Sequence, residues 1–145
     1  MSGIISSLVS PPRYRQAPRR PRSEVKRGRI IDAAMRHFAE HGYEAARVGD
    51  IAATLGIAKG SIFQHFGSKD GLFFEAYKKS VRSFSAYLNV PPEVRDRGFF
   101  EVLYYWLVRT EHMVREDWIP YRVYLLGQYG TDLTLKREIN RFLMA

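Results

Sequence analysis

Lys59, Ser61, Gln64 and His65 lie within seven residues and carry groups that hydrogen-bond nucleic acid. Lysine can donate to the acceptor edge of guanine, and glutamine can pair with adenine. On a helix over 59–66, Ala58, Ile62 and Phe66 would face inward and Lys59, Ser61, Phe63, Gln64 and His65 outward. Gly60 would let the backbone come close to a partner. No acid lies between Asp50 and Asp70, so nothing in this stretch repels a polyanion.

Positioning that face requires a second element. Val48, Ile51, Ala52 and Leu55 recur at helical spacing and define a preceding helix with one apolar side. Gly56 follows the last of them, where a left-handed residue ends a helix, and Ile57 fills the corner. Two short helices across a tight turn, the second basic and amide-bearing, are the arrangement that enters the major groove in a helix-turn-helix.

The stretch GRIIDAAMRHFAEHGYEAA, then DIAATLGI, KGSIFQHF and SKDGL, follows one another at the spacing of a known pattern. Over roughly Ser23–Ser83 the chain resembles the tetracycline-repressor (TetR) family of bacterial transcription regulators. Two positions depart from it. Arg47 stands where a Thr or Ser usually caps the second helix, and Phe63 stands where a tyrosine often reaches a phosphate. The resemblance implies that Lys69 meets a DNA phosphate; Arg47 and His65 are further phosphate candidates, Lys59, Ser61 and Gln64 are the candidates for base edges with Gly60 allowing close approach, and Phe63 completes the DNA-facing set without the tyrosine's hydrogen bond. It also implies a double-stranded operator, a homodimer, repression relieved by a small-molecule effector, and transmission through the fourth helix.

With 145 residues the chain can form one or two small domains. It has no cysteine, which excludes a disulfide framework and cysteine-based zinc sites and fits a cytoplasmic location. The net charge of +8 is concentrated early: residues 1–22 hold Arg13, Arg15, Arg19, Arg20 and Arg22 and no acid. That segment is rich in Ser and Pro without periodicity and reads as a disordered tail, either a DNA-contacting arm or simply solvated. No apolar run approaches a membrane span. His37 and His41 have metal-ligand spacing on a helix but no third ligand nearby, so a polar face is the expectation, and no cofactor is implied. Phosphate loops, paired carboxylates and activated nucleophiles are also missing, which argues against an enzyme.

The fold expectation is all-α: an N-terminal three-helix DNA-binding domain at 23–83 with its helix-turn-helix at 46–65, joined by a long helix to a partial helical domain at 84–145. Ser23 is expected to cap the first helix, whose stripe is Ile30, Ile31, Ala34, Met35 and Phe38, with Gly42 as its end and Tyr43 as a core plug. Ser68 should cap the fourth helix, with Leu72, Phe73, Ala76, Val81, Phe84 and Leu88 along its stripe. Pro91 and Pro92 interrupt it. A helix over about 97–115 is apolar or aromatic nearly all round and needs cover; another follows, capped by Asp117, and a last helix runs from about Asp132. Its aromatics are either plain core or the wall of an effector pocket, for which Leu103, Trp106, Tyr121 and Tyr124 are the candidates. Because TetR-type regulators usually continue for two more helices that form the dimer, the alternative function is a shortened interaction protein that pairs with a longer relative and blocks its DNA binding.

Overall fold

The computed structural model describes residues 22–145, with the side chains of 87 and 88 omitted. Eight helices follow in order: α1 (Arg22–Ala45), α2 (Val48–Leu55), α3 (Lys59–Phe66), α4 (Lys69–Leu88), α5 (Pro92–Arg95), α6 (Phe99–Glu116), α7 (Trp118–Tyr129) and α8 (Leu133–Leu143). Among the described residues there is no strand. The tail expected at residues 1–22 lies outside them except for Arg22, which is already helical, so Ser23 sits inside α1 and is not its cap.

The stripe of α1 is buried as its periodicity requires, from Ile30 to Phe38. Gly42 breaks the helix at φ 79°, a value that a side chain rarely tolerates, and one further turn carries Tyr43 into the core. Phe38, Tyr43 and Phe73 pack ring to ring, with Phe73 edge-on to each of the others at 5.0 Å. The same core continues without a break through Ala76 and Tyr77 of α4 to Val123 of α7 and Leu135 and Ile139 of α8. Hence α4 is a shared wall between the front and back halves of the chain.

At α4 the expected cap is present: Ser68 Oγ accepts from the Gly71 N–H at 3.0 Å. Asp132 likewise accepts from Thr134 and Leu135 at 2.9 Å each. Asp117 holds the cap position of α7 but makes no side-chain cap bond, a correction to the expectation. The double proline ends α4 as expected, but Pro92 then opens the short α5, because proline's fixed φ suits a first helical turn. Helix α6 carries the largest discrepancy. Its Phe99, Phe100, Tyr104 and Leu107 are 61 to 81% exposed, and Met113 is its one buried residue, so the cover demanded by its composition is not supplied by the described residues.

Candidate nucleic-acid interface

Helix α2 presents Val48, Ile51 and Ala52 to the core, and Gly56 closes it in the left-handed conformation at φ 63°, ψ 35°. The Gly56 and Ile57 N–H groups bond back to Ala53 and Ala52 carbonyls, which fixes the turn into α3. Arg47 occupies the cap position of α2 without a side-chain bond, as its chemistry requires.

Ile62 anchors α3 at 1% exposure, with Phe66 packed behind it. Two inward and outward assignments need correction. Ala58 is exposed and serves as the cap residue of α3, because the helix starts one residue later and its first turn is already at the surface. Phe63 is only partly exposed and packs against the core, since an apolar ring gains more there than in water. Lys59, Gly60 and Gln64 are exposed, and Ser61 and His65 are half-buried.

Lys59 Nζ lies 5.5 Å from the centre of the Phe63 ring. Those two residues, with Arg47, Gly49, Asp50 and Lys69, line an open groove of about 360 Å³ between the starts of α2, α3 and α4. Three cations and one carboxylate give it a positive balance. The ammonium of Lys69 is turned the other way, over the Tyr43 ring at 4.6 Å and donating to the Glu44 carbonyl at 3.1 Å. This explains a cation at the positive end of α4: its charge sits against the carbonyl end of α1, where it is favoured. The Tyr43 hydroxyl donates to Asp70 alongside, and burial, then that carboxylate, raise the tyrosine's pKa.

His37 sits at the entrance to α2. Its Nε2 accepts from the Arg47 N–H at 3.4 Å and is 4.0 Å from Asp50, while His41 lies at 4.3 Å between ring centroids. Burial first, then His41, lower its pKa below the ordinary 6.5, against the opposing pull of Asp50 and Glu40. Neutral imidazole is the form that can accept the Arg47 proton. In the window just below pH 6.5 the unfolded chain therefore binds more protons, so this contribution to stability is complete above that value and lost as pH falls through the folded pKa. The expected result is a melting temperature that drops between pH 7.5 and 5, with a shallower drop in His37→Gln, whose amide oxygen can still accept. Equal slopes for the two proteins would exclude His37 as the titrating group. Among the described residues no cluster of three potential ligands surrounds the two histidines.

Of the candidate effector residues, Leu103 and Trp106 are 39% and 43% exposed on α6. Tyr121 and Tyr124 are half-buried on α7, each against Phe84 of α4. Sequence reasoning missed Lys26, whose ammonium reaches Ser61 from α1. It also missed Tyr77, fully buried, which stacks on Tyr124 and receives a bond from Gln128 at 2.7 Å. An i, i+4 step from Phe73 to Tyr77 was the available signal for the latter; nothing local signals the former. No described helix is long and apolar enough to cross a membrane.

Residues 30–76 match the family model of bacterial regulatory proteins, tetR family. The chain is 32% identical over 114 residues to the HTH-type transcriptional repressor AcnR of Corynebacterium diphtheriae, covering 79% of this chain and 55% of that protein. It is 34% identical over 106 residues to the repressor of the same name from Corynebacterium efficiens, covering 73% and 52%. Among solved structures, the fatty acid degradation regulator FadR from Bacillus halodurans superposes with a TM-score of 0.56 at 29% identity, over 81% of this chain and 62% of that one. The chain thus spans about half the length of the curated relatives it matches.

Proposed function

We propose that this chain, whose residues 30–76 match the family model of bacterial regulatory proteins, tetR family, is a sequence-specific DNA-binding transcriptional repressor that reads the major groove with α3. The observation that carries the proposal is the outer face of α3, whose polar groups have almost no work to do within the chain. Gln64 is exposed and makes no hydrogen bond among the described residues, which leaves its amide for the bidentate pairing with adenine. Ser61 stands one turn before Gln64, and Lys59 stands at the first position of α3 beside the groove, with Arg47, His65 and Lys69 as phosphate holders that set register. For Lys69 that role requires the ammonium to leave the Glu44 carbonyl, a swing its flexible stem allows.

Gly60 supports the same reading. A Cβ built there meets nothing within 4 Å, so the fold has no need of a glycine in the first turn of α3. Glycine in a helix is less stable than alanine by roughly 0.5 to 1 kcal/mol. Close approach by a partner outside the chain accounts for tolerating that cost. Gly60→Ala is therefore expected to raise thermal stability slightly while weakening DNA binding, two changes of opposite sign that calorimetry and a binding titration read separately.

One short helix contacts only a few base pairs, so specific binding calls for two copies set about 34 to 36 Å apart, and hence a homodimer on a palindromic operator. A small-molecule effector bound behind α4 would act by favouring a different spacing of the two readers. The deciding experiment is selection of bound duplexes from a random pool, followed by the same selection with Gln64→Ala. A palindrome is expected, with the variant losing about 1 to 3 kcal/mol of preference at one position per half-site. Failure of any sequence to be enriched would overturn the proposal, and a uniform loss would remove Gln64 as a reader.

A further inference from the structure

Ser61 is the hydroxyl of the reading face, and what it can recognise depends on where its one hydrogen goes. Helical serines and threonines commonly donate to the carbonyl four residues back. Thr54 and Ser85 do so here, at 3.0 and 2.8 Å. Ser61 lies in the first turn of α3, where the residue four back, Ile57, precedes the helix and offers no such carbonyl; among the described residues its hydroxyl makes one hydrogen bond, as acceptor, with Lys26 Nζ as donor at 3.5 Å. An ammonium has donors and no acceptor, so the direction of this bond is not open to reversal.

Lys26 is placed for that contact by its neighbours. Lys26 lines a small cavity of about 40 Å³ with Arg29, Ile30, Leu55 and Ile57, at the corner of the helix-turn-helix. The adjacent Arg27 braces the same stretch of α1, pairing with Glu75 of α4 at 3.0 Å and lying over the Phe66 ring at 5.0 Å. The ion pairs among the described residues do not include Lys26, so no carboxylate competes for its charge.

From this geometry we infer that Lys26 is a specificity-determining residue: by occupying one of the two lone pairs of Ser61 and placing a positive charge beside the other, it biases the Ser61 hydroxyl toward donating to the DNA. This rests on the proposed reading of the groove by α3. A serine without such a neighbour can donate or accept and so contacts any base. A serine held as donor favours the acceptor edges, N7 and O6 of guanine, N7 of adenine or O4 of thymine, and disfavours the amino group of cytosine. The positive charge behind the oxygen also strengthens the donated bond.

The test uses the full chain and a pool of random duplex DNA, comparing the native protein with Lys26→Met, which keeps the stem and removes the charge, with Lys26→Arg, with Ser61→Ala and with the Lys26→Met/Ser61→Ala pair. The native chain should disfavour cytosine at one position of each half-site. Lys26→Met should reduce that discrimination about fivefold to tenfold at the same position as Ser61→Ala, and the double variant should lose no more than Ser61→Ala alone. Lys26→Arg should retain most of it. A Lys26→Met effect that is equal for all sequences and accompanied by a flatter salt dependence would mean a phosphate contact and overturn the inference. So would an unchanged preference at the Ser61 position. Gln64→Ala in the same pool separates the two levels: a position-specific loss there with no effect of Lys26→Met sinks this inference alone, whereas no enriched site for any protein sinks the reading of α3 and the inference with it.

Discussion

Replacing Gly127 with alanine is expected to lower the stability of the chain by about 3 kcal/mol, the upper part of the range for forcing extra volume into a packed core. A Cβ at Gly127 would overlap the Cδ2 and Cε2 of Tyr77 and press on Ile139 Cδ1 at 3.3 Å. The Tyr77 ring cannot move aside easily, being fully buried, stacked on Tyr124 and tied through its hydroxyl to Gln128. The absence of a side chain at position 127 is what lets α7 approach α4 at this point. In a thermal melt the effect should be a drop of about 10 °C for a chain of this size. A cycle with Tyr77→Leu gives the specific check: if overlap with the ring is the cause, the two substitutions together should cost clearly less than their sum. Strict additivity would assign the loss to something other than this contact. Since α7 also holds Tyr121 and Tyr124 against Phe84, the same substitution should disturb the route by which a ligand behind α4 would act on the readers.

Gly71→Ala should do comparable damage at the other end of α4 and with a different signature. Its Cβ would run into the backbone carbonyl oxygen of Phe66, the last residue of α3, and lie 3.5 Å from Ser68 Oγ. A backbone atom cannot rotate away as a side chain does, so the turn between α3 and α4 has to open. The expected cost is about 2 to 3 kcal/mol, including part of the roughly 1 kcal/mol that the Ser68 cap contributes. Because the displaced element is α3 itself, DNA affinity should fall for every sequence even at temperatures where the variant remains folded. Urea denaturation combined with binding at low temperature distinguishes the two losses. If affinity at low temperature matched that of the native chain, the Gly71 contact would not be setting the angle of α3.

The alternative of a shortened partner that blocks a longer relative draws no specific support from the geometry, in which Lys59, Gly60 and Gln64 on α3 are exposed. The aromatic side of α6 bears instead on association: Phe99 and Phe100, in ring contact, and Leu107 are all more than half exposed among the described residues, and exposed apolar groups of this size favour contact with another surface.

By itself the sequence determined the elements whose signals are local. The limits of α2 and α3, the left-handed Gly56, the Ser68 cap and the break after α4 all follow from spacing over a few residues, and each is where that spacing put it. The hydrophobic stripe of α1 was legible for the same reason, a long run with a constant period. Tertiary structure decided whatever depends on a neighbour distant in the chain. Phe63 has an outward position by periodicity alone, yet the core reaches it. Lys69 lies at the wrong end of its own helix, but the carbonyl of Glu44, 25 residues earlier, is what it meets. Lys26 sits 35 residues before Ser61, and the two come within 3.5 Å because α1 crosses the corner of the helix-turn-helix. Helical periodicity fixes which side of a helix a residue occupies, whereas the partner on that side is set by how helices cross, and no stretch of a few residues encodes the crossing.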